Sequence, residues 1–308
     1  MYFAVNPCAP ELPEQMLGTL AQLREQYSAA PRHCYLLIDA SFDQSLPNAF
    51  PWRRAVECSL YDGMRLEGLR EVAPHLIQLP DEPNKQRTWL QQLVDACGGK
   101  PMLSMLVSAI SAERLREHFR PYLLAQSEDS LEWPVRWADT RTLPGLIGAL
   151  TDVERRHLFS PLYTWIAVDR QGEMIHWQGE GDPHPEPPDF DCWPLDEARF
   201  GELLAEAEAD AVLSQIDDRR PDLLVRDKPA DIHARVARQL AIASRNKLSA
   251  APHRLHFAML GLIYAPTFID DPLMRAMLAK VEQGSDYQEQ IRQLPPTFWM
   301  QHEQGKPQ

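Results

Sequence analysis

Apolar positions along the first half of the chain switch between two spacings. Met16, Leu17, Leu20 and Leu23 recur every three or four residues within 12–27, which predicts a helix with one buried face. The unbroken apolar run at 34–39, ending in Asp39, predicts a buried strand, and the runs at 75–79 and 102–107 predict two more. Residues 83–97 carry Trp89, Leu90, Leu93 and Val94 at helical spacing, and Gly98-Gly99 ends that helix. Ser111 is the expected N-cap of the next helix, whose buried stripe is Leu115, Phe119, Tyr122 and Leu123. A fourth strand is predicted at 135–140, followed by helices at 143–150 and 152–158. The β-rich runs 163–168 and 173–177 flank Asp169-Arg170-Gln171-Gly172, the signal of a hairpin.

Beyond residue 179 the pattern changes. Pro183, Pro185, Pro187, Pro188 and Pro194 stand among acids, the chemistry of a linker. After it only helical spacing remains. Phe200, Leu203, Leu204, Ala207 and Ala211 form one stripe, and Ile232, Val236, Leu240 and Ala243 a second. Residues 255–263 are apolar nearly all round, which places them at the centre of a helical lobe, and Leu273, Met277, Leu278 and Val281 line a further helix. The polar tail after Pro296 is expected to fray, with Phe298 and Trp299 able to dock it. The expected fold is therefore α/β in the broad sense (α+β). An N-terminal lobe, 1–180, holds a mixed sheet covered by helices. An acidic Pro-rich linker, 181–194, leads to an all-helical lobe, 195–308.

Charge narrows the partners. The net charge of −13 argues against nucleic acid or an anionic membrane as the main partner. The excess is local: 180–231 holds 16 Asp and Glu against 5 Lys and Arg, a net of −11. Such a stretch is either a solvated face or a docking surface for a basic partner. No stretch approaches the roughly 18–20 apolar residues of a membrane helix. Residues 1–7 lack the charged start of a secretory signal, so a cytoplasmic location is expected. Cys8, Cys34, Cys58, Cys97 and Cys192 are few, odd in number and scattered, which suits reduced thiols.

Candidate chemistry is sparse. Asp139 and Arg141 have the spacing that puts both on one face of a strand, with Arg136 on the other. An Asp between arginines forms bidentate pairs, either as a brace or as a partner contact. Asp39 ends an apolar strand, where a catalytic carboxylate or a turn-capping one can sit. His184 with Asp182, Glu186, Asp189, Asp191 and Cys192 lacks the regular spacing of zinc or calcium loops. His253 and His256 lack the Glu of a His-Glu-x-x-His site. Gly98-Gly99-Lys100-Pro101 is not a complete phosphate loop, and no Gly-x-Ser-x-Gly is present. No metal and no cofactor are expected. Among the tryptophans Trp52, Trp133, Trp137, Trp165, Trp177, Trp193 and Trp299, the strand residues Trp137 and Trp165 are expected in the core. Trp193 and Trp299 are expected to be exposed and to anchor a partner.

Several short runs, taken in order, resemble one known family. They are Tyr35-Leu36-Leu37-Ile38-Asp39-Ala40, Leu60-Tyr61, Ala73-Pro74-His75-Leu76-Ile77-Gln78-Leu79, the helix at Trp89, and Leu106-Val107-Ser108. Leu115-Arg116-Glu117-His118-Phe119-Arg120, Val135-Arg136-Trp137-Ala138-Asp139-Thr140-Arg141-Thr142-Leu143 and Leu158-Phe159-Ser160-Pro161 follow. Over about 33–165 the chain resembles the type VI secretion adaptors, or effector chaperones. It departs from them in lacking a proline within Trp137–Arg141 and in having Ser160 where a Gly is common. The resemblance implies a non-enzymatic protein that binds a secreted toxic effector and helps load it onto the spike tip protein. Arg136, Asp139, Arg141, Trp193 and Trp299 are then the candidate partner-binding residues. Two alternatives are a hydrolase-like enzyme using Asp39 and Asp139, and a structural or immunity component of the secretion locus.

Overall fold

A computed structural model describes residues 2–28, 30, 32–49 and 54–303. It divides the chain into a sheet unit, Val5–Leu204, and a helical unit, Met1–Ala4 with Ala205–Gln308. Along the sheet unit the elements run α1 (Leu12–Gln26), β1 (His33–Asp39), β2 (Val56–Ser59), β3 (Pro74–Gln78), α2 (Pro83–Cys97), β4 (Leu103–Ser108) and α3 (Ala112–Phe119). Then come β5 (Leu124–Ser127), β6 (Glu132–Pro134), α4 (Leu143–Ala149), α5 (Asp152–Phe159), β7 (Leu162–Val168), β8 (Met174–Gln178) and β9 (Trp193–Leu195). The class is α+β, as the alternation of spacings predicts.

Six strands form one sheet in the order β2-β3-β1-β4-β7-β8, and every pairing in it is antiparallel. A parallel pairing occurs in a second, three-stranded sheet, β6-β5-β9, where β5 runs antiparallel to β6 and parallel to β9. The continuous apolar runs of β4 and β7 are explained by burial on both faces. Alternate residues of β1 serve two cores, because successive side chains of a strand point to opposite faces. Leu36 and Ile38 pack with Met16, Leu20 and Leu23 of α1 and with Leu90, Leu93 and Val94 of α2. Tyr35 and Leu37 pack on the other face with Leu115, Phe119, Leu143, Leu158 and four aromatic side chains, Tyr122, Trp137, Trp165 and Trp193. At the β7–β8 turn, Gly172 has φ +80°, and a Cβ there would fall 2.2 Å from the Pro7 carbonyl oxygen. The turn holds the chain at Asn6 and Ala9 through backbone bonds of 2.8 and 2.9 Å.

The 135–140 run is not a strand. β6 ends at Pro134 and Arg136–Arg141 form turns. The reason is local: the Asp139 carboxylate accepts the Arg141 backbone N–H at 3.1 Å, which closes an Asx-type turn in place of a ladder. Ser111 does occupy the N-cap of α3 with an extended backbone, but its side chain makes no capping hydrogen bond. The complete cap stands at α5 instead, where Thr151 and Glu154 form a capping box.

The Pro-rich stretch read as a linker is laid against the sheet unit. Gly181 N–H donates to the Leu162 carbonyl at 2.9 Å and Asp182 N–H to that of Ser160 at 2.7 Å. Arg114 Nη2 donates to the Pro183 carbonyl at 2.8 Å. The stretch ends in β9, which adds Trp193 to the core.

The next helix, α6 (Glu197–Arg219), begins in the sheet unit and ends in the helical one. The helical unit continues with α7 (Pro229–Arg245), α8 (Ala251–Ile263), α9 (Pro272–Glu282), α10 (Tyr287–Arg292) and α11 (Pro296–His302). The buried face of α6 is Ala209, Val212, Leu213 and Ile216 rather than the stripe expected from Phe200 to Ala211. Ala207 and Ala211 are exposed, as is Leu204. The larger Leu213, Ile216 and Val212 side chains remove more apolar area from water and so set the face. Helix α8 sits between two cores, as its all-round apolar character predicts. Leu255, Ala258 and Leu262 face α6 and α7 residues, whereas Phe257 and Leu260 face α9, α10 and α11. Among the described residues no helix is long and apolar enough to cross a membrane.

Candidate partner-binding site

Asp39 and Asp139, the two carboxylates singled out in the sequence, meet through arginine. Asp39 lies at the end of β1 and is 1% exposed. One of its oxygens accepts the Ser41 backbone N–H at 3.0 Å, and the other accepts Arg136 Nη2 at 2.8 Å. Arg136 also bonds the Ser41 hydroxyl and approaches Asp139 at 3.7 Å. Arg141 grips Asp139 with a bidentate fork, Nε to Oδ1 at 3.0 Å and Nη2 to Oδ2 at 2.8 Å. Both guanidinium groups lie over the Phe42 ring, at 4.8 and 5.3 Å from its centre. Beside them Lys100 pairs with Asp43 at 2.9 Å, and that hydrogen bond holds the Asp43 carboxyl below its usual range. The result is a charge-balanced brace that fastens the 135–142 turns to the end of β1. The oxygens of its carboxylates are occupied by protein donors.

A second polar cluster lies under the proline stretch. The His118 and His157 rings stack at 4.7 Å. The Glu186 carbonyl accepts from His157 Nε2, and His157 Nδ1 lies 2.9 Å from the Tyr122 hydroxyl, which donates to the Glu154 carbonyl at 3.2 Å. Phe190 packs edge-on against Tyr122 at 5.3 Å. A groove of about 350 Å³ runs here between α3 and Pro185–Pro188, lined by Glu113, Glu117 and His118. Burial, with the neighbouring His157 adding to it, pushes the His118 imidazole down to about 4. Its neutral form is therefore the one the fold favours. That contribution is whole above pH ~6.5 and is lost as pH falls through 6.5 toward 4, about 3 kcal/mol in all. Urea unfolding between pH 7 and pH 4 is expected to show this loss, and His118→Gln to flatten it. Equal acid sensitivity in the variant would contradict the assignment.

A third feature is open to solvent. The β5–β6 hairpin turns through Ser130 at φ +64° and presents Trp133, which is 43% exposed. The indole is fixed by Nε1–H donating to Ser127 Oγ at 3.2 Å. The Phe200 ring, on the first turn of α6, lies 5.5 Å away at an interplanar angle of 37°. With Ser127, Glu128, Asp129 and Glu197 these rings line a cleft of about 480 Å³. Arg199 positions this end of α6. It donates to Glu154 at 3.0 Å, to the Ala149 carbonyl at 3.2 Å, to the Pro194 carbonyl at 2.8 Å and to Asp196 at 2.8 Å. Among the described residues no Lys or Arg pairs with Glu128, Asp129 or Glu197.

Of the expected partner-binding residues, Arg136, Asp139 and Arg141 come together in the brace, and only Arg136 keeps substantial exposure, at 41% of its side chain. Trp193 is 0% exposed, against the expectation, because β9 carries it under the small sheet beside Trp137 at 5.7 Å. Trp299 is half-buried against Tyr264 at 4.8 Å, in the helical unit. Trp52 lies outside the described residues. Trp133 and Phe200 were not singled out as a pair. Their 66 intervening residues hide the approach, and the only sequence signal is the acidic excess that begins near 180. His253 and His256 both contact Tyr287, at 5.1 Å between rings and 2.9 Å to its hydroxyl. Among the described residues no group of three or more His, Cys, Asp or Glu side chains is placed to hold a metal ion.

Residues 34–157 match the model of a family described as a domain of unknown function (DUF4123). The match covers the main sheet from β1 through β4, the β5–β6 hairpin and the brace. It stops before β7, β9 and α6. No curated protein and no solved structure matches the chain.

Proposed function

We propose that the chain is a non-enzymatic adaptor that binds a toxic effector and helps load it onto the spike protein of a type VI secretion machine, working in the cytoplasm. The observation that carries a binding role is the Trp133–Phe200 cleft, where an exposed indole and a partly buried phenyl ring meet three carboxylates that no described basic side chain neutralises. A fixed, exposed aromatic side chain beside a polar rim is a usual anchor of protein interfaces. The type VI assignment is supported by the ordered motifs across 33–165, which the 34–157 family match overlaps. The hydrolase alternative loses ground because Asp39 and Asp139, its proposed carboxylates, are buried and occupied by Arg136 and Arg141. General acid–base work needs a carboxyl within reach of a substrate proton.

In-frame deletion of the gene in its native host separates the remaining readings. Delivery of the neighbouring effector into target cells is expected to stop while the producing cell stays protected. Self-intoxication of the producing cell would instead mark an immunity protein.

A further inference from the structure

We infer that the Trp133–Phe200 cleft takes the arginine side chain of a basic segment of the partner protein. The inference rests on the protein-binding role proposed above and adds the chemistry of what is bound.

Three observations converge on a guanidinium. The first is charge. Glu128, Asp129 and Glu197 surround the cleft with no described Lys or Arg paired to any of them. Hydrogen bonding from the Ser127 hydroxyl holds the Asp129 carboxyl below its usual range, so it stays ionised. Glu128 and Glu197 are tied to one another's neighbourhood, the Glu197 backbone N–H donating to Glu128 Oε1 at 3.3 Å. All three carboxylates line the one cleft, so an incoming cation is attracted by each of them.

The second is the pair of rings. Trp133 and Phe200 are 5.5 Å apart and tilted, and the Trp133 indole is locked by Ser127. An aromatic face attracts a cation within about 6 Å of its centre, and a planar guanidinium both stacks and donates in a fork to carboxylates. A lysine ammonium is more strongly hydrated and gains less from stacking. The same chain already stacks two guanidinium groups on Phe42.

The third is the kind of cation excluded. The carboxylates are not grouped to coordinate a metal ion. The cleft, about 480 Å³, is walled by apolar rings that suit the methylene stem of a side chain. Leu131, 53% exposed beside the hairpin, and Leu204, one turn beyond Phe200 at 58%, extend the apolar surface that a flanking peptide would cover.

The test uses the full-length protein with 15N-labelled tryptophan. The probe is the peptide acetyl-Gly-Arg-Arg-Arg-Gly-amide, set against its citrulline twin, which keeps the shape and removes the charge. The Trp133 indole resonance, assigned with Trp133→Phe, is expected to shift saturably with the arginine peptide. Affinity is expected to fall at least about tenfold with citrulline, and again in the Asp129→Asn, Glu197→Gln double variant. It should also weaken as salt rises from low to physiological strength. A shift that does not saturate, or that is equal for both peptides or in the double variant, overturns the inference. A second arm measures effector binding to Trp133→Ala. Weakened binding places the effector in the cleft. Binding equal to that of the original chain removes the cleft from effector recognition and leaves the adaptor role intact. Loss of effector binding by the original chain itself removes that role, and the peptide titration still decides the chemistry of the cleft.

Discussion

Trp193→Ala is expected to destabilise the sheet unit by about 3–5 kcal/mol, the cost of emptying a large aromatic site in a closed core. Trp193 is fully buried, its ring lies 5.7 Å from that of Trp137, and its strand β9 pairs with β5. Were the Pro-rich stretch a solvated linker, the same change would fall within about 0.5 kcal/mol, as surface substitutions do. Trp193→Phe separates packing from polarity. The Trp193 indole N–H is buried without a hydrogen-bond partner among the described residues. Phenylalanine removes that unsatisfied donor while keeping most of the apolar area, so its loss should be well below that of alanine. Urea unfolding followed by far-UV circular dichroism measures both.

Arg141→Leu is the second large effect, about 3–5 kcal/mol, because removing one member of a buried ion pair leaves the other charge poorly compensated. The Asp139 side chain is 2% exposed, and its fork to Arg141 is the closest pairing it makes, with Arg136 standing off at 3.7 Å. Asp139→Asn combined with Arg141→Leu should recover part of the loss, since the stranded charge is then gone. The pair of experiments also assigns a role. If Arg141 acts as a brace, effector binding by Arg141→Leu at low temperature, where the fold persists, should match that of the original chain. If Arg141 touches the partner, binding falls while the fold remains.

The elements legible in the sequence are those whose pattern is local. The strands β1, β3, β4 and β7, and the helices α1, α2 and α5, all show as apolar runs or helical stripes. The strands that escape are three or four residues long and owe their state to distant partners. In β6 all three residues, Glu132, Trp133 and Pro134, are exposed, so no alternation marks it. β9 contains Pro194 and becomes a strand only by lying beside β5, some 68 residues earlier. The same distance effect governs the sites. Asp139 and Arg141 are two positions apart and the spacing places them on one strand face, but their fork forms inside an Asx turn instead. Its extension to Asp39 spans 97 positions and leaves no mark in the local sequence. The sequence around Trp193, with its prolines and acids, looks like solvent-facing chain, whereas burial is decided by the strand it joins. The acidic excess after residue 180 was visible as composition. Its meeting with the Trp133 hairpin depends on Arg199 seating α6 against the start of α5.

The adaptor role proposed above requires this chain to bind both an effector and a spike protein. Its most direct test is a pull-down with tagged full-length protein from the native cytosol at mild salt, identified by mass spectrometry and repeated with the purified partners by size-exclusion chromatography with light scattering. The adaptor role predicts recovery of an effector together with a spike protein, and a stable complex of the purified chain with that effector. Recovery of neither, and elution of the purified proteins as separate species, would contradict it.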